Sequence, residues 1–422
     1  MKRFERRDFL RLASGAGLLC MSPMRAFAAE SSSVASPPYF MFFHAAGGWD
    51  PTSLCDPKGR ANEEEEDPVN MYFTGDIGEA GNIRYAPVGS NKAFFDKHHS
   101  RTLVINGLDM GTNSHTVGTR HQWSGKLSEG YPSVGALIAG TTTRESPLAY
   151  VSFGGYDFTA GTVAPTRLGN LGVLERIAWP NRVDGGEDSS LFHSDATFQR
   201  IVAAQNRRRG YLESQPLLPK ARHGLGQLFS ARVNNNEVKK LGEFLPDDLE
   251  SDSLRRQVQL TMAAFRAGLA KTASLSRGGF DTHGNHDQNH IPNLSNLMEG
   301  VDFAWDEAER QGLADQLVVV IGSDFARTPR YNQGNGKDHW SVSSTIVMGK
   351  GVPGNRVIGA TTHRQSPINV DPGSLATVDS GGLTLEPKHL HRALRKLAGV
   401  ADAELATSQF PLSGAEDLPI FG

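Results

Sequence analysis

The sequence predicts an α/β fold, a mainly parallel sheet covered by helices on both faces. Three observations predict it. Short apolar runs recur at 39–44, 102–106, 317–321 and 344–348, the length of buried strands. Helix-spaced apolar patterns fall after and between them, which implies a parallel sheet between two helical layers. Asp50, Ser114 and Asp324 each follow shortly after one of these runs. Ligands of such sheets gather beyond the carboxyl ends of the strands, so these three residues point to one shared site.

The elements follow in order. The run at 39–44 ends in Gly47-Gly48-Trp49-Asp50, a loop with backbone freedom. Residues 63–66 are all glutamate and read as a solvated insertion. After the second run, Ser114 marks a helix start and Gly125 stands just past its end. The stretch at about 194–275 lacks strand alternation and reads as a helical insertion or covering layer. Gly278 to His283 reads as a loop or short strand. Leu294, Leu297, Met298, Val301, Trp305 and Ala308 then recur at helical spacing. Pro387 opens a last helix that carries Leu390, Ala393, Leu394 and Leu397 on one face and ends at Gly399.

The N-terminus reads as an export signal. Arg6-Arg7-Asp8-Phe9-Leu10 resembles a twin-arginine motif, a short apolar stretch follows, and Ala26-Phe27-Ala28 forms a small-residue cleavage site. The expected division is a signal at 1–28, a linker at 29–38 and a single domain at 39–422. The expected location is periplasmic or secreted, with the twin-arginine translocation machinery as a partner. Of two cysteines only Cys55 lies past the signal, so no intrachain disulfide is expected. A net charge of −3 excludes a general nucleic-acid binder, which needs a basic stripe. No apolar run past the signal is long enough to span a bilayer, which takes about 20 residues.

Candidate chemistry concentrates in the second half. Asp281 and His283 stand two apart, so on extended backbone they face the same way, as a metal site needs. His286, Asp287 and His290 follow closely; local hydrogen bonding at a helix entrance accounts for the same pattern. Asp324 is either a cap or a ligand. Arg327 either pairs with it or clamps an anionic substrate through its fork. Of Asp338 and His339, whose side chains diverge, His339 is the favoured ligand. Ser114 is either an N-cap or a nucleophile at an anion-friendly helix start. Arg120 and His121 lie one to two turns further on and either line the site or cover the helix.

The signal, Gly47-Gly48-Trp49-Asp50, Gly279-Phe280-Asp281-Thr282-His283, Ser323-Asp324-Phe325-Ala326-Arg327-Thr328 and Asp338-His339 resemble, in that order, the exported proteins of the domain of unknown function 1501 family. That family is itself similar to the alkaline phosphatase and sulfatase superfamily. The resemblance implies a three-layer α/β/α sandwich, alkaline-phosphatase-like, and a metal-assisted nucleophile. It implies Ser114 as nucleophile, Asp50 as a metal-binding acid, Asp281, His283 and His339 around one divalent ion, and Asp324 on a second. Zinc, manganese and calcium are the ions expected. Where the phosphatase pattern has Asp-His, this chain has Asp324-Phe325, so one ligand of the second ion is gone. The expected function is hydrolysis of phosphate or sulfate esters, with Arg327 or Arg120 stabilising charge on the substrate oxygens. The substrate would be an anionic small molecule or glycan. The alternative is a catalytically degenerate protein on the same fold that binds an anionic glycan or envelope partner.

Overall fold

The computed structural model describes residues 38–422 except 144–145, 147, 170–177, 184–188, 219–220, 222–223 and 226–237. The export signal and nearly all of the linker lie outside the described residues. An eight-stranded sheet forms the centre. Its strands are β1 Tyr39–Ala45, β2 Thr102–Asp109, β3 Tyr150–Ser152, β4 Pro165–Thr166, β5 Thr272–Arg277, β6 Leu317–Ser323, β7 Val342–Gly349 and β8 Arg356–Ile358. Their order across the sheet is β8-β2-β7-β6-β1-β5-β3-β4. Strand β7 runs antiparallel to both neighbours; every other pairing is parallel.

Both faces of the sheet are buried, which is why the strands read as continuous apolar runs. On β1, Phe40 and Phe42 enter one core while Met41, Phe43 and Ala45 enter the other. On β6, Val318 and Val320 part from Leu317, Val319 and Ile321 in the same way. Truncating a fully buried side chain such as Phe43 to alanine costs about 3–5 kcal/mol.

Among the described residues, the helices of two turns or more are α1 Asn91–His98, α2 His115–Ser124, α3 Val134–Thr142, α4 Asp195–Glu213, α5 Ser253–Arg266, α6 His286–Arg310 and α7 Pro387–Leu397. One core is lined by Phe94 and Phe95 of α1, Val258 of α5 and Leu297 of α6. The other is lined by Trp123 of α2, Ile138 of α3 and Leu394 of α7. The architecture is therefore the expected three-layer α/β/α sandwich with a mainly parallel sheet. Helix α2 ends at Gly125 in the left-handed region (φ 72°). Helix α7 starts on Pro387 with a capping box between Glu386 and His389.

One expectation needs correction. The helical insertion at 194–275 is not one unit. Helix α4 buries no residue, whereas α5 is part of a core layer and Thr272–Arg277 is the strand beside β1. Its alternating Thr272, Ala273, Ser274 and Leu275 are all buried, and the hydroxyls disguise the strand. Helix α6 starts at His286, and its polar first turns bury His286 and His290 on one face.

Candidate metal centre

The parallel strands β1, β2, β5 and β6 end at one edge of the sheet, and the antiparallel β7 starts there. His44 lies in β1 and Gly47-Gly48 just after it. His115 opens α2, six residues past the end of β2. Asp281 and His283 follow β5, and Asp324 follows β6 directly. Arg327 and His339 are register partners in a two-stranded ribbon, Ala326–Arg327 against His339–Trp340, just before β7. Two glycines allow these loops to meet. A Cβ on Gly118 of α2 would collide with the Asp324 carbonyl oxygen. Gly47 (φ 120°) needs the left-handed region and lies against the Asp281 backbone.

Four side chains converge. Asp281 Oδ1 lies 3.1 Å from His283 Nε2, 3.4 Å from His339 Nε2 and 3.5 Å from His115 Nε2. His283 Nε2 and His339 Nε2 are 2.9 Å apart. The ligand atoms of His115, Asp281 and His339 all lie within 4.8 Å of one another. Ligands about 2.05 Å from a tetrahedral ion stand about 3.3 Å apart. Four of these separations, 2.9 to 3.5 Å, match that spacing.

The outer nitrogens fix the tautomers. His339 Nδ1 is 2.8 Å from the Asn113 carbonyl oxygen, His115 Nδ1 is 2.6 Å from Asp324 Oδ2, and His283 Nδ1 is 2.9 Å from Asp338 Oδ1. A carbonyl and an ionised carboxylate only accept, so each neutral imidazole carries its proton on Nδ1. All three Nε2 lone pairs then point inward. Two such lone pairs at 2.9 Å repel unless a cation lies between them. Histidines that donate the outer N–H to a carboxylate or carbonyl are the usual arrangement of metal-ligating imidazoles. The donor set thus fits one divalent ion.

The charges agree. The hydrogen bond that His115 donates to Asp324 raises the His115 pKa against the effect of partial burial. Burial lowers that of His339. Burial pushes the Asp281 carboxyl up, but Arg327 and the nearby histidines bring it below the usual range. The His283 bond holds Asp338 low. Phe325, fully buried, forms an aromatic wall with ring centroids 4.8 Å from His115 and 4.5 Å from His339.

Asp281, His283 and His339 are therefore brought together, as the sequence reading required. The other expected roles change. Asp324 is 3 % exposed and separated from the Nε2 cluster by the His115 ring, so it does not face the ion position. Asp50 is fully buried and bonds Lys337 Nζ at 2.6 Å, His286 Nε2 at 3.2 Å and the Thr52 amide at 2.9 Å. An ammonium occupies the position where the expectation placed a metal. His290 Nε2 accepts the Asp50 N–H, and Asp287 accepts the Tyr331 hydroxyl, so neither joins the cluster. Arg327 is fully buried, and its guanidinium bonds the carbonyls of Gly47, Gly48 and Lys337 as well as Asp281. It ties the loops together and has no face for a substrate. Arg120 pairs with Glu129 at 3.5 Å, and His121 bonds the Met110 carbonyl. No contact among the described residues joins either to the cluster.

Ser114 sits at the N-cap position of α2, but its hydroxyl makes no cap bond. It is exposed, and its neighbours Asn113 and His115 both bond into the cluster. Sequence reasoning passed over His115 because the adjacent serine drew the chemistry; its place at a strand-to-helix junction was the available signal. It also passed over His44, whose apolar strand gave no sign of a polar partner.

The fold and site define an α/β/α protein with a three-histidine, one-aspartate cluster at the carboxyl edge of its sheet. Residues 233–378 match the family described as protein of unknown function (DUF1501), the family the motifs resemble. No curated protein sequence matches the chain. Among solved structures, that of Ps i-CgsB in complex with k-i-k-neocarrahexaose is 11 % identical, with a TM-score of 0.43, covering 91 % of this chain and 76 % of that one. The PsFucS1 sulfatase from Pseudoalteromonas sp. is 9 % identical, with a TM-score of 0.38 and coverage of 87 % and 68 %. The TAB5 alkaline phosphatase, as a mutant with Mg bound in its M3 site, is 10 % identical, with a TM-score of 0.34 and coverage of 86 % and 99 %.

Proposed function

We propose that the chain is an exported, metal-dependent hydrolase of phosphate or sulfate esters. The observation that carries this reading is the convergence of three imidazole Nε2 atoms on Asp281 Oδ1, next to an exposed serine whose hydroxyl makes no cap bond. His115, His283, His339 and Asp281 would hold one divalent ion, with nitrogen-rich ligation favouring zinc over manganese or calcium. The ion would supply a Lewis acid for a phosphoryl or sulfuryl oxygen.

The chain's own residues account for the rest. Ser114 Oγ attacks phosphorus or sulfur, its proton passes to solvent, and the bond to the leaving oxygen breaks as that oxygen takes up a proton. Water then cleaves the seryl ester and restores the hydroxyl. The amides of the first turn of α2 lack a side-chain cap and suit the negative oxygens of the substrate. Asp281 is held by Arg327, and the three imidazoles by their outer acceptors, so the cluster is preorganised. Export is supported by the twin-arginine motif and cleavage site. No helix among the described residues is long and apolar enough to cross a membrane.

The test is a panel of aryl phosphate and aryl sulfate esters with added zinc, manganese or calcium. A cleaved ester whose turnover falls by orders of magnitude in Ser114→Ala supports the serine. Wild-type turnover in that variant removes it.

A further inference from the structure

Asp324 follows an apolar strand, which made it a candidate ligand or cap on sequence grounds. Its surroundings assign another task. Trp123 Nε1 only donates, and it lies 3.0 Å from His44 Nδ1, which must accept. An accepting Nδ1 carries no proton, so the ring's single proton sits on Nε2, and burial, which lowers the His44 pKa, favours this neutral form. That proton-bearing Nε2 stands 3.3 Å from Asp324 Oδ1. The Gly47 amide reaches both carboxylate oxygens at 3.2 Å. His115 Nδ1 lies 2.6 Å from Oδ2, while its Nε2 faces Asp281 at 3.5 Å. The imidazole of His115 therefore stands between Asp324 and the ligand cluster.

We propose that Asp324 is a positioning residue, backed by His44 and Trp123, that fixes the tautomer and ring orientation of His115 so that Nε2 serves as a metal ligand. The proposal rests on the metal-centre reading above. Trp123 dictates which nitrogen of His44 bears the proton; His44 and Gly47 hold the carboxylate; the carboxylate holds His115. Three elements, α2, β1 and the turn after β6, are thereby coupled to one nitrogen. Aspartate is required for its charge and its acceptor-only oxygens. Asparagine, of the same shape, carries an amide that competes for the wrong face of the ring.

The test has two readouts on the full chain. In ion-free protein labelled with ¹⁵N-histidine, at a pH well above the ordinary imidazole range, His115 should carry its proton on Nδ1. In Asp324→Asn it should become a mixture of tautomers. His115→Gln assigns the signal. In cobalt(II) titrations, Asp324→Asn should bind the same number of ions as wild type, with the same visible absorption bands, but about 10–100-fold more weakly. His44→Gln keeps a donor toward Asp324 and should stay near wild type, while His44→Leu should weaken binding. Lost stoichiometry or altered cobalt bands in Asp324→Asn would make Asp324 a ligand and overturn the proposal. A wild-type proton on Nε2 would overturn it even in a protein that binds cobalt. A wild type that takes up no cobalt would overturn the metal-centre reading, and this proposal with it.

Discussion

Replacing Lys337 by methionine should be among the most destabilising single changes in this protein. Lys337 and Asp50 are both fully buried, with Nζ 2.6 Å from Oδ2. Removing one partner of such a pair strands a charge in a low-dielectric interior, a loss of about 3–5 kcal/mol. Asp50 would keep the Thr52 amide at 2.9 Å, the Thr52 hydroxyl at 2.6 Å and His286 Nε2 at 3.2 Å. Those donors place the expected cost at the lower end, about 3 kcal/mol, or roughly a 150-fold shift in the folding equilibrium. The assay is urea unfolding, compared with Asp50→Asn and the double variant, which should recover much of the loss because no charge is stranded. The pH dependence has a definite sign. Burial would raise the Asp50 carboxyl, but Lys337 and His286 hold it well below its ordinary range. Its stabilisation is therefore complete above the unfolded carboxylate pKa and is lost as pH falls through the depressed folded value. That slope should be absent in the double variant. A cost below about 1 kcal/mol for Lys337→Met would refute the reasoning, since a stranded buried charge cannot be that cheap.

Other expectations follow from the same geometry. Ser114→Ala should change stability by less than about 0.5 kcal/mol, because the hydroxyl makes no cap bond; a calorimetric loss near the usual 1 kcal/mol for a cap would contradict this. Ion uptake should weaken as pH falls through the raised pKa of His115, since only the neutral ring binds, and Asp324→Asn should move that midpoint to lower pH; titrations across pH would expose any lack of dependence. Replacing both Arg6 and Arg7 by lysine should leave precursor in the cytoplasm, and fractionation that finds normal delivery of the double variant would sink the export reading.

Much of the framework was legible because it rests on burial. Strands β1, β2, β6 and β7 are apolar and doubly covered, so their sequences announce them. Strand β5 was hidden because Thr272 and Ser274 are buried with their hydroxyls satisfied by the Gly135 carbonyl and Tyr150. Asp281, His283 and His339 were legible by spacing and residue type. What could not be read was the assignment of inner and outer partners. Whether a carboxylate meets an ion, an ammonium or an imidazole depends on loops that are distant in sequence. Asp50 found Lys337, 287 positions away, and Asp324 found His115, 209 positions away. Local pattern carries no trace of either pairing. Arg327 was misjudged for a related reason: its type suits a substrate clamp, but the same fork also suits a cluster of loop carbonyls.

The measurement that bears most directly on the central claim is the content of divalent metal per chain, by elemental analysis of protein recovered from the periplasm. The account predicts one tightly held ion in wild type, retained in Ser114→Ala and Asp50→Asn, and lost or greatly weakened in His115→Ala, His283→Ala and His339→Ala. A wild type that is metal-free and fully stable, or an ion content that none of the three histidine variants lowers, would contradict it.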